Sequence, residues 1–158
     1  MTQGAENGAA QKVGVVVVTH GRLASELVNA AETIVGDLPH VVAVSIGWHD
    51  DATDARAEIA KAIGRVDQPG GVLILTDMFG GTPSNLSITF LEANRVEVIT
   101  GVNLPTLIKL ARLERTGSLA AFAQDVREHA RGAIWVASEF LQVNASPDSG
   151  DAGETKQS

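Results

Sequence analysis

Two short stretches hold the residues whose types and spacing could do chemistry. The first is Thr19-His20-Gly21-Arg22, directly after the apolar run Val13 to Val18. The second is Thr76-Asp77-Met78-Phe79-Gly80-Gly81-Thr82-Pro83-Ser84-Asn85, directly after Val72-Leu73-Ile74-Leu75. Imidazole near neutral pH is mostly unprotonated and keeps a lone pair on one ring nitrogen, so His20 is a candidate nucleophile for phosphorus. Gly21 permits a sharp turn and close backbone approach beside it. The second stretch places two glycines, two hydroxyls and an amide at a predicted helix start, where free N–H groups favour an anion. Gly80 and Gly81 let those groups approach a phosphoryl group, and Thr82 or Ser84 adds a hydroxyl donor. Asp77 would repel phosphate, but it suits a histidine partner. By accepting a hydrogen bond from one ring nitrogen it would fix the tautomer and leave the other lone pair pointing outward. Taken singly, each of these residues reads equally well as a cap or a turn. Taken together, they read as a phosphoryl-carrying His20 with Asp77 as its partner.

The elements that must position these stretches follow from the alternation of strand and helix patterns. Val13–Val18, Val41–Ile46, Val72–Leu75 and Val96–Thr100 are β-rich runs, several of them apolar on both faces, as in buried parallel strands. Helical spacing covers Leu23–Val35, Ala52–Val66, Pro83 to about Ala93, Pro105 to about Leu113 and Leu119 to about Arg131. The pattern predicts an α/β fold with a doubly wound, mostly parallel sheet of order 2-1-3-4 and helices on both faces, with Ala133–Val136 either a short fifth strand or a continuation of helix. In such a sheet the ligand crevice lies beyond the carboxyl ends of strands 1 and 3, which is where both stretches fall. Residues 1–11 and 144–158 are polar and aperiodic and read as tails, leaving 12–143 as the domain.

Thr-His-Gly after the first strand, Asp-Met-Phe-Gly-Gly-Thr-Pro-Ser-Asn after the third and Gly-Val-Asn-Leu-Pro after the fourth resemble the enzyme IIA component of the mannose-type sugar phosphotransferase system, over about residues 13–140. The resemblance implies that His20 accepts a phosphoryl group from the phosphocarrier protein HPr and passes it to a IIB component, with Asp77 as its partner and Thr82 as the nearby hydroxyl. It also implies a homodimer that exchanges an antiparallel C-terminal edge strand, here Ala133–Val136, a transport or regulatory role, and a IIB protein that is separate from this chain. Arg22 stands where a familiar member has an aromatic residue. Two other readings compete: the phosphotransfer subunit of dihydroxyacetone kinase, and a flavodoxin-like module for flavin or nucleotide. The long Asp-to-Asn segment favours the sugar system, and a chain that is 4% aromatic offers little to stack on a flavin.

Composition narrows the rest. There is no cysteine, which removes thiol catalysis and cysteine zinc cages. The formal net charge of -7 disfavours nonspecific nucleic-acid binding and suits a basic protein partner. No run is long enough to cross a bilayer and no secretion signal is evident, so a cytoplasmic protein that meets membranes only through transporter components is expected. Trp48-His49-Asp50-Asp51 has metal-like residue types, but adjacent loop residues rarely converge on one ion, and Asp50 or Asp51 is a natural helix cap. Neither a metal nor a cofactor is expected. Asn103 reads as a cap, while His40 and His129 read as surface residues.

Overall fold

The computed structural model describes residues 8–112 and 114–144. Four parallel strands, β1 (Gly14–His20), β2 (Val41–Ile46), β3 (Val72–Thr76) and β4 (Val96–Thr100), form one sheet in the order β2-β1-β3-β4. Among the described residues there are also six helices: α1 (Leu23–Val35), α2 (Ala52–Val66), α3 (Thr82–Ile88), α4 (Leu104–Leu110), α5 (Leu119–Gly132) and α6 (Ala137–Asn144).

The strand sequences explain the layering. Because successive side chains point to opposite faces, Val15, Val17, Leu73 and Leu75 pack with α1, α4 and α5, while Val16, Val18, Val72 and Ile74 pack with α2 and with Leu86 and Phe90. A strand apolar at every position therefore demands a helix layer on each side. Burying each such side chain stabilises by about 1.5–3 kcal/mol, which makes β1 and β3 the rigid frame of the molecule. Their register pairs Val18 with Thr76, so His20 and Asp77 leave the same end of adjacent strands.

Three expectations change. Ala133–Val136 forms no strand: Ala133 closes α5 by donating to the Ala130 carbonyl, and the Val136 carbonyl accepts from Glu139 and Phe140 as α6 begins. The backbone there is drawn into helix ends rather than a sheet edge, and the described sheet is wholly parallel. Helix α3 stops at Ile88, short of Ala93. The N–H groups of Thr89, Phe90 and Leu91 bond three residues back, the Thr89 hydroxyl donates to the Leu86 carbonyl, and Asn94 turns the chain at φ 61°. Helix α4 ends at Leu110, and Leu113 lies outside the described residues. Most of the two polar tails, 1–7 and 145–158, also lies outside them. Gln11, at the inner end of the first tail, pairs with Arg115 through two backbone hydrogen bonds.

Candidate functional site

His20 is the last residue of β1, and its position is fixed from three directions. Behind it, Thr19 is fully buried and its hydroxyl oxygen accepts the Ala24 N–H at 2.6 Å. That bond supplies the cap that Arg22, at the N-cap position of α1, does not make with its own side chain. On the β2 side, Gly21 at φ 54° donates its N–H to the Ile46 carbonyl. On the β3 side stands Asp77. Its Oδ2 accepts from the His20 backbone N–H at 3.0 Å and lies 2.8 Å from His20 Nδ1, while its Oδ1 accepts the Met78 N–H at 3.0 Å.

Those contacts decide the protonation pattern. Burial pushes the Asp77 carboxyl up, but hydrogen bonds from the His20 backbone and ring, the ring's charge and the Met78 N–H outweigh it and hold the group below the ordinary aspartate value. In the neutral ring, a carboxylate 2.8 Å from Nδ1 calls for the proton on Nδ1, which leaves the lone pair on Nε2. The His20 side chain is 48% exposed and that of Asp77 14%, so the ring faces solvent and its partner faces inward.

The second loop lies over the ring's outer edge. Gly81 is at φ 86°, ψ 172°, a region essentially reserved for glycine. A Cβ there would stand 3.1 Å from both Cε1 and Nε2 of His20. Gly80, at φ 83°, donates its N–H to the Ser84 hydroxyl at 3.2 Å, and Ser84 is fully buried. Those two residues, expected to meet a phosphoryl group, are thus turned toward each other and shape the loop. Thr82, the first residue of α3, is exposed. The mouth is rimmed by apolar side chains that a soluble surface usually hides: Phe79 is 76% exposed, Met78 is also exposed, and Trp48, two residues beyond the β2 residue paired with His20, is 94% exposed.

The residues set aside by sequence behave as caps or surface. Asp51 accepts from the N–H groups of Thr53 and Asp54 at the start of α2, and Asp50 accepts from Gly47. Among the described residues no three His, Asp or Glu side chains gather as metal ligands. Asn103 caps α4 through Thr106 and also donates to the Ala130 carbonyl. His129 is exposed, but His40 is half-buried against the Leu110 carbonyl, 3.2 Å from its Nε2. Thr19 was missed because helix caps are sought next to the helix, and it acts from three residues before the N-cap position.

Known proteins resemble this chain in sequence and fold. The model of a family described as "PTS system fructose IIA component" matches residues 14–127. The chain is 26% identical over 131 residues to the "PTS system fructose-specific EIIA component" of Bacillus subtilis, covering 82% of this chain and 90% of that one. It is 35% identical over 103 residues to the "PTS system mannose-specific EIIAB component" of Escherichia coli, covering 61% of this chain but 30% of that longer protein. A crystal structure of the PTS IIA protein associated with the fucose utilization operon of Streptococcus pneumoniae superimposes with a TM-score of 0.72 at 23% identity, over 85% of this chain and 99% of that one, a likeness of fold. No described helix is long and apolar enough to cross a membrane. With the family match spanning most of the domain, this chain belongs to the mannose-type enzyme IIA family of the sugar phosphotransferase system.

Proposed function

We propose that His20 carries the phosphoryl group of this IIA component on Nε2, taking it from HPr and handing it to a IIB component. The observation that carries the reading is the 2.8 Å contact of Nδ1 with Asp77, which commits Nδ1 to a proton and turns Nε2 outward. In the forward step the Nε2 lone pair attacks phosphorus. The P–N bond to the donor histidine breaks, and its electron pair returns to the donor ring. The His20 ring gains positive character as the new bond forms; the Asp77 carboxylate stabilises it by accepting from Nδ1–H, which keeps its proton throughout. Thr82 and the Gly81 backbone border the arriving phosphoryl oxygens. Passage to the next histidine is the same displacement run outward.

Transfer between two proteins needs a face that docks as well as a nucleophile. Trp48, Met78 and Phe79 around His20 support a protein partner, since exposed apolar groups of this size commonly mark a contact surface. A homodimer is part of the same proposal. Ile134, Trp135, Val136 and Leu141 expose a second apolar group at the C-terminal end of the described chain, suited to burial against another copy.

The test is direct. Incubated with phosphoenolpyruvate, enzyme I and HPr, the protein should take up one acid-labile phosphate per chain, and peptide mapping should place it on His20. No uptake, or uptake on another residue, would overturn the reading. A second expectation concerns Gly81. Gly81→Ala should destabilise the fold by about 1–3 kcal/mol, because the alanine must hold a glycine-only backbone conformation. It should also slow phosphoryl acceptance, because the new methyl crowds Nε2. Urea denaturation and rapid-quench labelling measure the two effects separately.

A further inference from the structure

We propose that Arg22 is a phosphoryl-binding residue that leaves Glu26 to grip the phosphate once it is on His20; the inference rests on the phosphocarrier reading of His20. A phosphoryl group brings roughly two negative charges to Nε2. The loops that follow the four strands, residues 21–22, 47–51, 77–81 and 101–103, contain three aspartates and a single Lys or Arg, which is Arg22. The phosphoryl group therefore lands beside Asp77, with Arg22 as the single cation these loops supply. The neighbouring helix cation Arg56 is engaged elsewhere: it lies over the Phe90 ring and donates to Thr89, while Arg115 is buried against the carbonyls of Gly70 and Gly117 at the opposite, amino end of the strands.

Arg22 is also free to move. It lies two residues from His20 across the turn made by Gly21, and its side chain is 87% exposed. Its one ionic contact, with Glu26 Oε1 at 3.6 Å, is longer than a hydrogen bond and joins two exposed groups, the weakest kind of pair. A phosphoryl group offers the guanidinium doubly charged, bidentate acceptors in place of one distant carboxylate oxygen. Glu26 is then the parking place of the unphosphorylated state, and phosphorylation draws Arg22 across the mouth.

The experiment compares the wild-type chain with Arg22→Gln, Arg22→Lys and Glu26→Gln. Each is equilibrated with phospho-HPr, and the phosphate on each protein is read by phosphorus NMR. Removing the guanidinium should lower the equilibrium constant for His20 phosphorylation by about five- to tenfold, the scale of one exposed charge-assisted hydrogen bond. Lysine should restore part of it. Glu26→Gln should leave it unchanged or raise it, because it frees Arg22. In the isolated phosphoprotein, with no partner present, the Arg22 Nε–H resonance should move. An unchanged equilibrium constant in Arg22→Gln overturns the inference, even if the rate falls, because that pattern belongs to a docking contact. Parallel losses in Arg22→Gln and Glu26→Gln also overturn it, since they would mark the ion pair as merely structural. A wild-type chain that takes no phosphate on His20 removes the phosphocarrier reading as well, whereas normal labelling with an indifferent Arg22 removes only this one.

Discussion

The His20→Ala protein is expected to take up no phosphate at all under conditions in which the wild-type chain takes up one per molecule. Nothing else at the mouth can replace the ring. Among the described residues Thr82 offers a hydroxyl with no hydrogen-bonded base, and His49, on the neighbouring β2 loop, has no carboxylate partner to fix its tautomer. The fold should survive the change, because the His20 side chain is half-exposed while its backbone N–H can still bond Asp77. Thermal unfolding close to that of the wild-type chain, together with absent label, is the expected pair of results. Equal labelling of the alanine protein would remove His20 from the chemistry.

Asp77→Asn should have the second largest effect. The aspartate accepts from two backbone N–H groups and faces Nδ1, and an amide cannot reproduce all three contacts. With its oxygen toward His20, the amide nitrogen opposes the Met78 N–H, donor against donor. With its nitrogen toward His20, Nδ1 must become the acceptor, the proton moves to Nε2 and the nucleophilic lone pair is lost. Either arrangement also removes the negative charge that steadies the ring during transfer. The rate should fall by about two to four orders of magnitude, the scale met when the aspartate of a catalytic triad becomes asparagine. Stability should fall by about 1–3 kcal/mol from the unsatisfied donor. That deficit depends on pH in a defined direction. The folded-state pKa of Asp77 is depressed, so its contribution is full above the unfolded value of about 4 and is lost as pH falls through the folded value. Urea denaturation should separate the two proteins at pH 7 and bring them together as pH falls below the unfolded value and through the lower folded one. A gap that persists in acid would mean that the carboxylate charge is not its source.

The pairing of His20 with Asp77, 57 positions apart, was legible because it depends on strand order more than on side-chain detail. Four apolar strands separated by helices leave few windings, and the 2-1-3-4 order makes the ends of β1 and β3 neighbours. The inner faces of the loops were less legible. Residue type alone read Ser84 and Gly80 as phosphate ligands and did not show that Ser84 is buried and accepts the Gly80 N–H. Helix α3 was read too long because hydrophobic spacing continues past Ile88 while local side-chain-to-backbone bonds end the helix. Ile134-Trp135-Val136 carries a β-rich signature, but it is bracketed by helix ends, with Ala133 closing α5 and the Val136 carbonyl opening α6.

The way one carboxylate oxygen holds both the amide and the ring of His20 has a dynamic consequence. Thr19 is sealed beneath it, and Gly21 is tied to Ile46, so the reactive end of β1 is bonded as tightly as the middle of the sheet. Its amides should exchange with deuterium only as slowly as those of Val16 and Val17, through opening of the whole domain rather than through local breathing. A nucleophile with no slack of its own has no closing motion to wait for. On the phosphocarrier reading proposed for His20, the tempo of transfer is then set by how fast partners arrive and depart, with the chain as a fixed anvil on which other proteins do the moving.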